Sequence, residues 1–486
     1  MPDSPAATDH IERHVWVVAG VVILGMIMSI LDTTIVNVAL DTLGRDLHSP
    51  ISQIQWVVTG YLLSLAAVIP LTGWAARRFG AKRVYLISLV LFTLGSALCG
   101  LATTSTSLIV FRVLQGAGGG MIMPVGQMIM AEVAGPKRMG RVMGVVAMPA
   151  MLAPILGPVV GGVILQGLHW SWIFFVNVPI GVLAVALAAK MLPHSELGRP
   201  GRLDTVGLAL LATSMPLIVY GLSEIGTQGS FTAAKVVWPL VIGVVLAGVF
   251  MWHALRASRP LLDIRLYANR VFGAASLTTF GLGAALFGTM ILIPLYYQQI
   301  RGESVILTGL LVGPQGLGML AMAPFNGRLT ERFGGGRVAI VGVLILCAST
   351  VPLALVGAHT SILAISLVLL VRGLGIGLSF MPTMTAAFAS LRTDQLSDAT
   401  PQMNVLQRLG GAIGTAVLAV VLQRAALHAH TPAEGAAAFN AAYWWALGIG
   451  VLSLIPCVVL LRAETPGART TRLGAAPETT VEPLGA

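Results

Sequence analysis

Long apolar runs, broken at short intervals by clusters of Arg, Lys, Gly and Pro, fill the chain almost from end to end. A helix that crosses a bilayer needs about 20 apolar residues, and fourteen runs satisfy that length. They fall at residues 16–40, 52–76, 84–103, 106–131, 142–166, 171–192, 204–223, 235–255, 271–296, 305–327, 338–357, 360–387, 400–423 and 438–462. The first run follows Asp3, Asp9 and Glu12 and is too long for the core of a signal peptide, so it is read as a retained span.

Composition agrees with this pattern. The 486 residues are 56% hydrophobic and 10% charged, with a mean hydropathy of +0.87. Soluble domains carry about 25% charged residues, so this chain cannot cover a water-facing surface. A net charge of +10 does not point to nucleic acid, because that would need a basic face on a soluble domain. Topology accounts for the charge. With both termini cytoplasmic, 22 of the 29 Lys and Arg fall in cytoplasmic segments and only Arg45, Lys235, Arg301 and Arg424 in outer loops. Arg112, Arg372 and Arg408 remain inside spans. Cys99, Cys347 and Cys457 lie far apart in apolar runs, as core residues do. The tail 463–486, rich in Pro, Gly, Thr and Glu, reads as disordered.

The chain also repeats itself. Gly73, Arg78, Phe79, Gly80 and Arg83 recur as Gly327, Arg332, Phe333, Gly334 and Arg337 at a constant offset of 254. That offset carries span 1 onto span 9. The expected organisation is a cytoplasmic segment 1–15, a six-helix bundle 16–192, a linker 193–270 with two additional spans, a second six-helix bundle 271–462, and the tail. Bundles related in this way commonly place a substrate path at their interface near the midplane.

Few groups in the spans can carry chemistry. Asp32 is the one acid well inside a run, about 8 residues before its end at Leu40. A carboxylate at that depth costs about 2.5–3.5 kcal/mol on insertion scales and marks a functional position by default. The helix direction tilts it deeper into the bilayer, away from the outer headgroups. Arg112 lies in the same layer, so depth permits a pair, although it could equally snorkel outward. Arg372, near mid-depth of span 12, either neutralises a substrate anion or pins its helix to neighbouring carbonyls. Arg408 follows Asn404 by one turn in span 13 and either faces the path or reaches the cytoplasmic surface. The nine histidines sit in loops or at helix ends, which argues against a histidine relay. No phosphate loop, hydrolytic triad or metal-ligand set is visible, so neither ATP drive nor enzymatic catalysis is expected. Gly116, Gly118, Gly119 and Gly120 permit close helix contact. Met121, Met123, Met128 and Met130 are either adaptable lining or packed core. Span 5 carries Pro149, Pro154, Gly157, Pro158, Gly161 and Gly162, the marks of a bent, tightly packed helix.

These residues resemble the major facilitator superfamily, and within it the 14-helix drug:proton antiporter family of EmrB/QacA type. Leu31-Asp32-Thr33-Thr34-Ile35-Val36-Asn37-Val38-Ala39-Leu40 is similar to its helix-1 signature, and Arg112-Val113-Leu114-Gln115-Gly116 to the helix-4 motif linked to proton transfer. Gly157-Pro158-Val159-Val160-Gly161-Gly162 resembles the antiporter motif of helix 5, and Trp172-Ile173-Phe174-Phe175-Val176-Asn177-Val178-Pro179-Ile180-Gly181 the helix-6 signature. The loop Gly73, Arg77, Arg78, Gly80, Arg83 departs from the family in one respect: Arg77 stands where an acid is usual. Glu331 and Arg332 keep the pattern in the second copy. Asp41 replaces a Pro, and Ala153 a Gly.

The resemblance implies an all-α polytopic membrane protein of the major facilitator fold, two six-helix bundles plus two inserted helices, in a bacterial plasma (inner) membrane. It implies export of lipophilic drugs or other toxic small molecules in exchange for protons, without a cofactor, with Asp32 and Arg112 in proton coupling. Asn37, Gln115, Met123, Arg372, Asn404 and Arg408 are the candidates for the substrate cavity. With one embedded carboxylate, neutral, monocationic or anionic compounds are expected rather than dications. A dedicated exporter of a lipid or endogenous metabolite is the alternative on the same fold. A monomer is expected, and the need for an envelope adaptor protein is left open.

Overall fold

The apolar runs fold as helices because a bilayer offers no partner for a bare backbone N–H or C=O, and a helix satisfies all of them internally. The computed structural model describes residues 13–193, 202–228, 231–392, 395–427, 429 and 431–464, with no strand among them. The N-terminal segment 1–15 and the tail 463–486 lie outside the described residues, apart from 13–15 and 463–464. The helices are α1 (Arg13–Asp46), α2 (Ile51–Val68), α3 (Thr72–Phe79), α4 (Ala81–Gly100), α5 (Ser105–Gly167), α6 (Trp172–Phe175), α7 (Asn177–Met191) and α8 (Thr205–Gln228). They continue as α9 (Ala234–Arg256), α10 (Arg270–Leu295), α11 (Val305–Phe333), α12 (Gly335–Leu353), α13 (Ile362–Ala389), α14 (Leu396–Ala426), α15 (Pro432–Leu452) and α16 (Leu454–Ala463).

Two expected runs are subdivided. Run 52–76 breaks at a tight turn, Ile69–Leu71, around Pro70, giving α2 and α3. Run 438–462 breaks at Ser453, three residues before Pro456, giving α15 and α16. Two other runs, 106–131 and 142–166, are joined in α5, which is helical over 63 residues. That helix cannot be straight. Gly126 abuts Val22, and Gly161 abuts Ile35. Positions 126 and 161 would stand about 52 Å apart on a straight helix, whereas 22 and 35 are about 20 Å apart on α1. The chain therefore doubles back between two spans without leaving helical geometry. Thirteen described stretches are long and apolar enough to cross a membrane. The returning limb of α5 supplies the fourteenth.

The first six spans pack as one bundle, with α5 against α1, α2 and α4, and α7 against α1 and α4. The last six form a second, with α10 on α14, α13 on α11 and α12, and α15 on α12 and α14. The repeated loops have one backbone form: Gly80 (φ 84°, ψ 138°) ends α3 and opens α4, and Gly334 (φ 89°, ψ 150°) ends α11 and opens α12. Only glycine adopts such angles at low cost, which explains the coincidence of Gly80 with Gly334. Both loops lie at one end of the molecule, which their arginines make the basic end.

The inserted pair, α8 and α9, packs on itself and lays α8 across both α2 and α14. Trp56 of α2 stacks on Tyr220 of α8 at 5.7 Å, and Ile218, Leu222 and Ile225 of α8 join Ala416 and Val420 of α14 in one apolar cluster. Asp204 anchors the foot of this pair. Its carboxylate accepts hydrogen bonds from the Gly207 N–H (2.8 Å), the His253 ring (2.9 Å) and the Leu261 N–H (3.1 Å). Burial alone would push that carboxyl up, but these three partners hold it below the usual carboxylate range.

Candidate functional site

Asp32 sits in the interior of the first bundle, fully enclosed. One oxygen, Oδ2, accepts from Arg112 Nη1 at 2.6 Å. The other, Oδ1, accepts from Gln115 Nε2 at 2.9 Å and from Asn177 Nδ2 at 3.0 Å. Four helices thus converge on one carboxylate, α1 providing it, α5 and α7 donating to it, and α4 backing them through Ser96, whose Oγ accepts from Asn177 Nδ2 at 3.1 Å and donates to the Phe174 carbonyl at 2.9 Å.

Arg112 is equally enclosed. Besides Asp32, its Nη1 donates to Gln115 Oε1 (2.8 Å) and its Nε to the Val57 carbonyl (3.0 Å), while the Tyr61 ring lies 4.0 Å from the guanidinium carbon. Its Nη2 has no partner. Arg112 therefore faces inward to Asp32 and does not snorkel. A buried pair tolerates its desolvation when the remaining polar atoms are bonded, and here all but one are.

Small residues make this approach possible. A Cβ at Gly95 would come within 2.7 Å of Gln115 Cα, and one at Gly118 within 2.6 Å of the Phe92 nitrogen. Gly116 and Gly120 press on the backbone of α2 at Tyr61 and Leu65 in the same way. The glycine cluster brings α5 close enough to α2 and α4 for Arg112 to reach both Asp32 and Val57. On the returning limb of α5, Gly157 and Gly161 lie against Thr34 and Ile35 of α1, and Gly162 against Ile306 of α11. The side chain of Pro158 lies outside the described residues.

The remaining candidates are distributed. Gln115 belongs to the Asp32 cluster. Asn37 is exposed and bonds to the Thr33 carbonyl of its own helix. Met123 and Met121 are half-buried against the core, and Met128 and Met130 are part of it. Arg372 is buried in the second bundle, donating to the hydroxyls of Thr350 (2.5 Å) and Thr289 (2.7 Å) with its Nε unpartnered. It is pinned by hydroxyls, not by the backbone carbonyls that the sequence suggested. Asn404 of α14 donates to Gln127 Oε1 of α5 at 2.8 Å, a bond between the bundles. Arg408 lines a small cleft with Ala66, Ile69, Met215, Val219, Val405 and Leu409, where α2, α8 and α14 meet. A larger groove, about 230 Å³, lies between α10 and α14 and is lined by Leu292, Gln299, Thr415 and Gln423 among others.

The loop residues meet a partner that sequence reasoning missed. Arg77 donates to Asp398 Oδ1 (2.6 Å) and Ser397 Oγ (2.7 Å) at the start of α14, and Gly73 packs directly on the Ser397 carbonyl. Arg78, Arg83, Glu331 and Arg332 are exposed at the same end, with Gly80 buried. Asp398 escaped because the apolar run begins two residues later. Gln127 and Ser96 are neutral and look like filler in an apolar run. Asn177 lies within the helix-6 signature but carries no charge to single it out.

A helical molecule of fourteen apolar spans, twelve in two six-helix bundles and two in an inserted pair, with a sealed ion pair in one bundle and a polar seam between the bundles, is a multi-pass membrane carrier. The chain belongs to the Major Facilitator Superfamily, whose family profile matches residues 22–415. Among its relatives, a multidrug resistance protein B homolog of Mycobacterium tuberculosis is 39% identical over 407 residues, covering 83% of this chain and 75% of that one. The multidrug export protein EmrB of Haemophilus influenzae is 34% identical over 415 residues, covering 84% and 80%. In fold, the proton:xylose symporter XylE superposes with a TM-score of 0.64 at 16% identity, over 91% of this chain and 94% of that one. The human organic anion transporter MFSD10 superposes at 0.61 and 16%, over 92% and 99%. The fold is thus a transporter's, and the relatives are those of the drug-export branch that the helix motifs resemble.

Proposed function

We propose that the protein exports lipophilic small molecules across the bacterial plasma membrane in exchange for protons, with both termini and the basic end in the cytoplasm. The placement of Lys and Arg supports the orientation, and the names of the relatives support the cargo class. The observation that carries the proton reading is the Asp32–Arg112 pair, a carboxylate and a guanidinium both 0% exposed in the midst of apolar helices.

The chemistry follows from charge. Ionised Asp32 holds Arg112, and through it α2 and α5, in one arrangement. A proton entering from the outer side cancels the carboxylate, weakens the bond to Arg112 and leaves a guanidinium that must find new partners. The conformational equilibrium then shifts toward the state that releases the proton inward and accepts cargo. The cytoplasmic contacts Arg77–Asp398 and Gln127–Asn404 close the inner side in this state, and their opening exposes the path to the cell interior.

The test is transport by purified protein in liposomes under an imposed pH gradient. Asp32→Asn is expected to abolish uphill transport while leaving expression and monodispersity unchanged. Uphill transport at the wild-type rate in that variant would refute the proton role.

A further inference from the structure

We infer that Asn177 is a positioning residue that keeps Asp32 hydrogen-bonded in both its ionised and its neutral form, by turning its amide over when the carboxylate takes up a proton. The inference rests on the proton-coupling reading and adds to it the residue that answers the change of state.

The hydrogen bonds of the cluster are those of the ionised form. Both N–H groups of Asn177 are engaged, one with Asp32 Oδ1 and one with Ser96 Oγ, while its own Oδ1 is buried without a partner. An ionised carboxylate only accepts, and every donor around it points inward. A protonated carboxyl must donate, and the same ring of donors then becomes a mismatch.

The acceptors within reach are few. Gln115 Oε1 already takes Arg112 Nη1 and the Cys99 thiol. Ser96 Oγ already accepts from Asn177 and gives its proton to Phe174. Asn177 Oδ1 is the acceptor left free. A half-turn about the last side-chain bond exchanges Oδ1 with Nδ2 at almost unchanged volume, so the neutral acid donates to Oδ1 where the ionised acid accepted from Nδ2. The count of unpartnered amide atoms is the same on both sides of the switch. The Ser96 hydroxyl, facing Oδ1 after the turn, then moves its donor bond from the Phe174 carbonyl to Asn177. Protonation on α1 is thereby felt on α4 and α6 without movement of any backbone.

The other titratable groups facing this cluster are Arg112 of α5, Tyr61 of α2, Cys99 of α4 and, from the second bundle, Arg408 of α14, which is in electrostatic range of Tyr61. None of them offers a second acceptor to Asp32. The proton balance is simple: one proton enters from outside, forms the O–H bond of Asp32, and leaves to the inside when that bond breaks.

Two measurements on liposome-reconstituted protein test this. The first is the pH of half-maximal proton-driven transport. Asn177→Ala removes a charge-assisted bond from the ionised form and a weaker neutral one from the protonated form, so the midpoint is expected to rise by the difference, about one pH unit or less, with substrate affinity retained. The second is the infrared C=O stretch of protonated Asp32, identified as the acid band that Asp32→Asn deletes. In Asn177→Ala that band should move to higher frequency, because the neutral acid has lost its acceptor. Should Asn177→Ala fail to fold, Asn177→Ser, whose shorter side chain cannot bridge Asp32 and Ser96, carries the same two expectations. An unshifted band together with a wild-type midpoint overturns the inference about Asn177. Uphill transport surviving in Asp32→Asn overturns instead the proton reading on which it rests, so the two failures are separable.

Discussion

Arg112 divides its donors among a carboxylate, a side-chain amide oxygen and a backbone carbonyl, and each belongs to a different helix or turn of the first bundle. Its planar fork is suited to that division, whereas an ammonium at the same place is a point charge on a shorter reach. Arg112→Lys should therefore keep the fold but lose most transport. Arg112→Leu leaves a buried carboxylate without its counter-charge and should cost about 3–5 kcal/mol of stability. Thermal unfolding in detergent checks both, and the double variant Arg112→Leu/Asp32→Leu is expected to recover most of the loss. If Arg112→Leu unfolds at the wild-type temperature, the pair is not a structural tie between these helices. At this scale the sequence was readable wherever charge met apolar surroundings: Asp32 and Arg112 stood out by depth alone. The amides did not: Gln115 stood out only by its place in the helix-4 motif, and Asn177 costs little enough in a span that its presence carries no signal until geometry brings it to the carboxylate.

Where α3 meets α14, a basic residue of the loop pairs with an acid of the helix. The family resemblance expects an acid at position 77, and its replacement by Arg put the ion pair of this loop in doubt. The structure supplies the acid from the opposite helix, as Asp398 in the first turn of α14. An acid there also suits the positive end of that helix, which favours negative charge. The pair is partly exposed, so its contribution is about 1 kcal/mol or less, enough to bias a conformational equilibrium but not to hold it shut. Arg77→Asp should place two acids in contact, loosen the basic end and lower transport several-fold. Adding Asp398→Arg should restore it, as measured in the same liposome assay, and failure of the double exchange would mean that the two residues act separately. At this scale legibility was uneven for a physical reason. Apolar length located all the spans, but it is blind to a helix that turns back without unwinding, as α5 does, and to a first turn that is polar, as that of α14 is.

For the whole molecule, the decisive feature is where the two bundles touch. At the basic end α14 meets α3 and the Pro70 turn, Asn404 reaches Gln127, and Arg77 reaches Asp398. Above that level α8, not α14, covers α2, through the Trp56–Tyr220 stack. The inserted pair thus covers the side of the seam, and its contacts with α14 are with apolar side chains that lack directional bonds. If export requires the basic end to part, a bridge across it must stop transport in a fixed state. Gln127→Cys/Asn404→Cys places two thiols where a bond of 2.8 Å now joins the bundles. Positions 127 and 404 are themselves buried at the seam, so a short membrane-permeant thiol-reactive cross-linker should reach the introduced pair only as the bundles part, whereas the native cysteines Cys99, Cys347 and Cys457 are buried away from it. Cross-linked protein is expected to lose export almost entirely and to regain it when a reducible linker is cleaved, while each single variant treated alike should keep transporting. Full export by the cross-linked protein would mean that the bundles do not separate at this end, and that cargo leaves the cell interior by a route other than the seam.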